Sequence, residues 1–344
     1  MTASYPQNPP ASSSQAGKGD PLERLSILLA DDLAAVAGLI GERMQSAHSP
    51  RIPQVTAHLV EAGGKRIRPL LTLAAARMLG YSGAHHRRLA ATVEFIHTAT
   101  LLHDDVVDES RQRRGRPTAN LLWDNKSSVL VGDYLFARAF QLMVETGNLR
   151  VLEILSNAAA VIAEGEVLQM STAHNLATDE ATYMQVIRGK TAALFAAACE
   201  TGGVIAGAGE DEIAALRRYG DALGVSFQIA DDLLDYGGST AALGKNTGDD
   251  FRERKVTLPV LLAHASGGEG DRAFWQRVIE AGEQREGDLD RAMALMQATG
   301  ALADTRARAL AVAGEARAAL QILPGGALRD LLAELSDFVV ARIA

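Results

Sequence analysis

Proline is spread unevenly along this 344-residue chain, and that distribution limits what it can fold into. Six of the ten prolines (Pro6, Pro9, Pro10, Pro21, Pro50, Pro53) lie near the N-terminus. Beyond Pro53 only Pro69, Pro117, Pro259 and Pro324 remain. Alanine and leucine dominate this body, and alternating β-branched runs are scarce. Proline breaks helix interiors while Ala and Leu favour them, so an all-α body is expected.

A ~3.6-residue periodicity marks the helical segments. The first is expected from Pro21 to about Ala47, with Asp20 as N-cap and Pro21 in the first helical position. Others are expected over Ile67–Leu79, His85–Asp108, Ser127–Glu145 and Arg150–Thr172. Two more cover Asp179–Gly202, kinked at Gly189, and Asp211–Tyr236, with shorter helices from Val256 onward. Thr146-Gly147-Asn148 and Gly267-Gly268 read as turns. No repeat of roughly 20–50 residues points to a solenoid. Residues 1–20, rich in Pro, Ser and Gln, read as a disordered tail without the basic start or apolar stretch of a secretory signal. Residues 21–344 are expected to form a single domain.

Thirty-four Lys and Arg against 42 Asp and Glu leave a net charge of −8, which argues against a nucleic-acid partner held by a general positive field. The longest apolar stretch, 256–268, is broken by Pro259, and no run approaches the ~18 residues of a membrane span. No integral membrane segment is therefore expected. The one cysteine, Cys199, excludes an intrachain disulfide framework and a Cys-rich zinc site. It suits a reducing, cytoplasmic setting.

Two acidic pentads stand out: Asp104-Asp105-Val106-Val107-Asp108 and Asp231-Asp232-Leu233-Leu234-Asp235. Each falls at the C-terminal end of an apolar-periodic helix. At ~100° per residue, the first and fifth members lie about 40° apart on one face, where like charges repel. The helix dipole also makes this the unfavourable end for anions. Such placement calls for a compensating cation, and oxygen-only ligands suit Mg²⁺, which keeps waters and bridges to phosphates. A solvated acidic helix end is the plainer reading of one pentad. It suits two less well, because both are embedded in apolar helices. Neither pentad has the spacing or loop glycine of an EF-hand.

Basic residues cluster to match. Gly63-Gly64-Lys65-Arg66-Ile67-Arg68-Pro69 sets a flexible glycine pair before three cations and a helix start, which places backbone N–H groups beside an anion site. Arg111, Arg113, Arg114 and Arg116 follow the first pentad, and guanidinium forks match phosphate oxygens. Lys190-Thr191 follows Gly189, and Lys245 and Lys255 bracket the segment after the second pentad. Taken singly, each of these is equally well a solvent-facing charge.

From about residue 21 onward the chain resembles the trans-isoprenyl diphosphate synthases. The resemblance is carried by GGKRIRPLL (63–71), LLHDDVVDESRQRRG (101–115), GDYLFARAF (132–140), GKTAALF (189–195), FQIADDLLDY (227–236) and GKNTGDDFRERKVTLP (244–259). It implies the all-α isoprenoid synthase fold, antiparallel helices around a central cavity with the pentads facing each other across it, and three Mg²⁺ ions. Carried over by motif position, Asp104, Asp108 and Asp231 are metal ligands, assisted by Asp105, Asp232 and Asp235 directly or through water. Arg113, Lys190, Thr191, Gln228, Lys245 and Lys255 hold the allylic diphosphate. Lys65, Arg68, His97 and Arg114 hold isopentenyl diphosphate. His97, seven residues before Asp104, is about 20° from it around the helix axis and so shares its face. Arg254 stands where many members carry glycine, which puts the use of Lys255 in question.

In this family the residues four and five places before the first pentad form a floor that stops chain growth when bulky. Here they are Thr100 and Ala99, with Ile96 a turn earlier. Small residues imply a long product of about eight to ten isoprene units, of the kind used as a respiratory quinone side chain, with farnesyl or geranylgeranyl diphosphate as starter. The resemblance also implies a homodimer, and a product this insoluble calls for transient membrane contact on release. Rival readings are a shorter-chain, geranylgeranyl-type synthase and a metal-dependent phosphohydrolase using His58, His85, His86, His97 and His103. A terpene cyclase has no use for a second diphosphate pocket at Lys65, Arg68 and Arg114. An inactive regulatory subunit predicts damaged pentads, and both are intact.

Overall fold

The computed structural model describes residues 19–61, 63–113, 115–237 and 248–341. The expected N-terminal tail, Arg114 and Lys245 lie outside them, apart from the tail's last two residues, Gly19 and Asp20. The chain divides into two compact units. The first comprises Met1–Ala159, Ala197–Arg217 and Ile322–Leu332; the second comprises Ala160–Ala196, Arg218–Gln321 and Ala333–Ala344.

The first unit opens with α1 (Pro21–Leu28), where the Asp20 carboxylate accepts the Glu23 N–H at 2.8 Å, the N-cap the sequence announces. The single helix expected over 21–47 is two helices, because Leu29 leaves the helical well (φ −110°, ψ 20°) before α2 (Ala30–Arg43) begins. No Gly or Pro marks this break. Leu29 is buried, so tertiary packing overrides the local preference. The second helix ends at Arg43, short of Ala47, and Ser46 Oγ then accepts the N–H groups of His48 and Ser49 in a turn.

Helices α3 (Arg51–Glu61), α4 (Ile67–Met78) and α5 (His85–Val107) follow. A two-residue antiparallel hairpin then pairs β1 (Gln112–Arg113) with β2 (Arg116–Pro117). After it come α6 (Ala119–Leu122) and α7 (Asn125–Val144). Helix α5 is central to this unit, packing against α2, α4 and α7. Leu89, Phe95 and Leu102 are fully buried along it. Each contributes about 1.5–3 kcal/mol relative to an exposed side chain.

Three of these helices are also tied by a buried charge cluster. Asp32 of α2 accepts Arg77 Nε (2.7 Å) and Nη2 (2.9 Å) from α4. From α5 it accepts Arg87 Nε at 2.7 Å and lies 3.1 Å from His86 Nε2.

Helix α8 (Leu149–Thr172) contributes to both units, as do α10 (Ala193–Ala206), α11 (Glu210–Gly237) and the last helix. Within the second unit, α9 (Glu180–Ile187) runs into a π-turn at Arg188–Ala192, which spans Gly189, where the sequence suggests a kink. Gly165 makes room for it: a Cβ there would come within 2.7 Å of Lys190 N and 2.9 Å of Gly189 C, backbone atoms that have little freedom to yield.

The remaining helices are α12 (Asp249–Arg252), α13 (Leu258–Ser266), α14 (Glu269–Trp275), α15 (Asp288–Ala298), α16 (Ala301–Ala319) and α17 (Ala327–Ala341), with a second π-turn at Gln276–Glu280. Helices α12 to α16 and this π-turn contribute to an apolar cluster around Trp275, Phe274 and Ile279, which also holds Tyr236, the residue after the second pentad. Among the described residues no helix is long and apolar enough to cross a membrane.

Candidate active site

In the first unit, α5 ends within the pentad. The Asp108 N–H reaches Asp104 O, Glu109 N reaches Val106 O, and Ser110 N reaches Asp105 O at 3.0 Å. Glu109 sits at φ 50°, left-handed, in the place glycine ordinarily takes in this type of helix ending. Asp104 is half-buried and Asp108 exposed. Asp105 is fully buried, and its Oδ1 accepts Arg113 Nε at 2.9 Å and lies 2.8 Å from Nη2. Burial pushes the Asp105 carboxyl above its ordinary range, and Arg113 opposes that shift. Its Oδ2 is buried without a hydrogen-bond partner among the described residues.

The hairpin strand that follows the pentad is thus pinned to α5 through Arg113. Asn120, a residue with no motif signal, adds a bond from Nδ2 to Asp105 O at 3.3 Å.

The glycine–lysine segment also behaves as expected of a helix-entry loop. Gly63 and Arg66 are left-handed, and α4 starts at Ile67. Lys65 is exposed. Arg68 Nη1 lies 3.2 Å from His97 Nε2. Two of the residues expected to hold isopentenyl diphosphate, Arg68 and His97, thus share one locus. Ile96 and Ala99 are buried, and Thr100 is half-buried with its hydroxyl on His97 O.

In the second unit, the pentad lies on α11. Asp232 is 5% exposed, and burial raises its carboxyl above the ordinary range. It accepts the Tyr183 hydroxyl at 2.7 Å on Oδ2 and Gln228 Nε2 at 2.8 Å on Oδ1, while Gln228 Oε1 accepts the Thr191 hydroxyl at 2.8 Å. Asp235 accepts the N–H groups of Asp249 and Asp250, which fixes the start of α12. Asp250 is pushed up too, first by burial and then by Asp232; Lys255 opposes this. Lys190, presented by the π-turn, lies 2.8 Å from Glu166 Oε1. Lys255 pairs with Glu253.

Arg254 explains its own oddity. It sits at φ 59°, the left-handed region that glycine occupies freely, and its guanidinium donates to Ile279 O (2.8 Å) and Glu280 O (3.1 Å).

Tyr183, Glu166 and Asp250 escaped the motif reading. Tyr183 precedes Lys190 by seven residues, one helical face, and Asp250 sits in an acidic pair, so both carried a faint signal. Glu166 carried none.

The donor set fits a hard divalent cation: carboxylate oxygens alone, with one buried oxygen of Asp105 left over. Among the described residues no three His, Cys, Asp or Glu side chains form a metal cage by themselves. Mg²⁺ ordinarily draws on only one or two carboxylates, completing its shell with water and phosphate. The histidines do not cluster as a phosphohydrolase needs. His58 bonds Pro117 O, His86 lies against Asp32, His97 against Arg68, and His103 against Val129 O.

Helices, carboxylates and flanking cations of this kind define an all-α prenyltransferase, and the comparisons agree. Residues 49–296 match the family profile described as polyprenyl synthetase. The chain is 47% identical to the octaprenyl diphosphate synthase of Escherichia coli over 93% of its own length and 99% of that protein. The crystal structure of a decaprenyl diphosphate synthase from Rhodobacter capsulatus is 68% identical, with TM-score 0.92, covering 94% of this chain and all (100%) of that one. A polyprenyl synthase from Caulobacter crescentus, complexed with calcium and isoprenyl diphosphate, is 54% identical with TM-score 0.89, covering 94% and 98%.

The chain belongs to the polyprenyl synthetase family. It has the isoprenoid synthase fold and is a long-chain trans-prenyl diphosphate synthase. The phosphohydrolase alternative finds no support.

Proposed function

We propose that the chain condenses isopentenyl diphosphate head-to-tail with farnesyl or geranylgeranyl diphosphate, giving an all-trans product in the octaprenyl-to-decaprenyl range. The observation that carries this reading is the 68% identity to a decaprenyl synthase over nearly the whole chain, with both pentads intact. Ala99 and Thr100, small at the positions that limit growth in this family, support a long product over a geranylgeranyl one. The further expectations are a cytoplasmic homodimer built as one domain over 21–344, supplying a respiratory quinone side chain and touching membrane during release. Exposed Val129, Leu130, Phe140 and Val144 on α7 support the dimer.

Asp104, Asp108 and Asp231 would hold Mg²⁺, with Asp105, Asp232 and Asp235 assisting. The calcium and isoprenyl diphosphate of the Caulobacter relative support this assignment. When bound, Mg²⁺ supplies charge neutralisation for a departing diphosphate. Lys190, Arg113, Lys245, Lys255, Gln228 and Thr191 hold the allylic diphosphate and stabilise its developing charge as the C–O bond breaks. Lys65, Arg68, His97 and Arg114 orient isopentenyl diphosphate so that its double bond attacks the allylic carbon. The released diphosphate takes the proton, and aliphatic walls keep water from the cation. No side-chain nucleophile is needed.

The test is to size the products from purified protein, Mg²⁺, farnesyl diphosphate and labelled isopentenyl diphosphate. The reading requires chains of octaprenyl length or longer, shortened in Ala99→Phe or Thr100→Phe. A geranylgeranyl end product, or an unchanged length in both variants, defeats it.

A further inference from the structure

Both oxygens of Asp232 are taken by protein donors: Tyr183 Oη at 2.7 Å and Gln228 Nε2 at 2.8 Å. The Gln228 amide is also fixed at its other end, since Oε1 accepts the Thr191 hydroxyl. An amide flip would set an oxygen against a carboxylate, so only one orientation satisfies both neighbours. The four residues come from three elements of the second unit: Tyr183 from α9, Thr191 from the π-turn, Gln228 and Asp232 from α11. Tyr183 is 4% exposed and Asp232 5%, and buried polar groups act together only when every member is satisfied. An amide nitrogen has two N–H groups, and Asp232 uses one. The other is the donor Gln228 can offer to an anion.

We infer that Tyr183 is a positioning residue for the allylic diphosphate, holding Asp232 from one side while Thr191 holds the amide from the other, so that Gln228 presents its second N–H in one fixed orientation. The inference rests on the assignment of the second pentad to that diphosphate. It makes Asp232 the anchor of the relay, assisting the metal through water rather than as a direct ligand, while Asp231 is the direct ligand.

Tyr183→Phe removes one oxygen and keeps the ring. It is expected to raise KM for the allylic diphosphate and lower kcat/KM for it roughly 10- to 100-fold. KM for isopentenyl diphosphate should stay within twofold. A merely structural loss would reduce the active fraction and move neither KM. In a Gln228→Ala background, Tyr183→Phe should change the allylic KM less than twofold, because the group it orients is gone. Equal effects on both substrates, no effect on either KM, or additive losses in the double variant would overturn the inference. If Tyr183→Phe does not fold, Thr191→Val cuts the relay at its other end and carries the same expectations. Asp231→Ala, measured alongside, separates the two levels. Retained turnover there sinks the metal assignment, whereas lost turnover with additive Tyr183 and Gln228 effects sinks the relay alone.

Discussion

Replacing Asp32 with asparagine is expected to cost about 2–4 kcal/mol of stability. Three guanidinium N–H groups and His86 converge on this carboxylate, which is 4% exposed. A hydrogen bond to a charged group contributes about 1.5–3 kcal/mol, and removing one partner of a buried pair costs about 3–5 kcal/mol. The Arg77 and Arg87 side chains are 30% and 35% exposed, so they regain part of their hydration and the figure is discounted accordingly.

The pH dependence follows from opposing causes. Burial alone would raise the Asp32 carboxyl, but bonds from Arg77 and Arg87 and the charge of His86 hold it well below the usual carboxylate range. A depressed folded-state value means stability that is present above the unfolded value near ~3.9 and lost as pH falls below it. Burial lowers His86, which therefore contributes stability above ~6.5 that is lost on acidification; Asp32 opposes that lowering. Without Asp32 the histidine step deepens. The gap between wild type and variant should widen slightly below about pH 6.5 and begin to narrow below about pH 4.

Urea unfolding followed by circular dichroism across pH 3 to 8 measures this. A cost under about 1 kcal/mol at neutral pH, or a gap that persists undiminished toward pH 3, would refute the reasoning. Because the cluster ties α4 to α5, which bear Arg68 and His97, KM for isopentenyl diphosphate should rise as well.

Gly165→Ala drives a Cβ into the backbone of the π-turn, so thermal unfolding should show a loss of about 1–3 kcal/mol, and kinetics a higher allylic KM. Gly38→Ala on α2, where a Cβ meets nothing within 4 Å, should instead stabilise by about 0.5–1 kcal/mol; a loss there would contradict the packing argument. At Arg254, glycine relieves about 1–2 kcal/mol of left-handed strain but forfeits two bonds to carbonyls. Arg254→Ala forfeits the bonds and keeps the strain, so it should melt below Arg254→Gly, and equal midpoints would remove strain from the account.

What could be read in the sequence was local or periodic. The Asp20 cap, the bounds of α4, α5 and α11 to within two residues, and the disturbance at Gly189 all follow from propensity, spacing and one glycine. Placing Arg68 with His97 followed from family motifs, with periodicity setting His97 on the pentad face. The rest depends on tertiary contacts across long separations. Nothing near Asp32 marks it as the partner of an arginine 45 residues onward, and the break at Leu29 has no turn residue to announce it. Glu166 and Tyr183 acquire meaning only once α8, α9 and α11 are folded beside the π-turn.

The proposed function assigns metal-binding aspartates to both pentads, and that is its central claim. Steady-state turnover of Asp104→Ala, Asp231→Ala and the double variant, with Mg²⁺, farnesyl diphosphate and isopentenyl diphosphate, addresses it most directly. Each single variant is expected to lose at least about 10²- to 10³-fold in kcat with its helical content intact. The double variant should be scarcely worse than the poorer single one, as for residues acting as a unit. Turnover within tenfold of wild type in either single variant, or losses that multiply in the double, would contradict it.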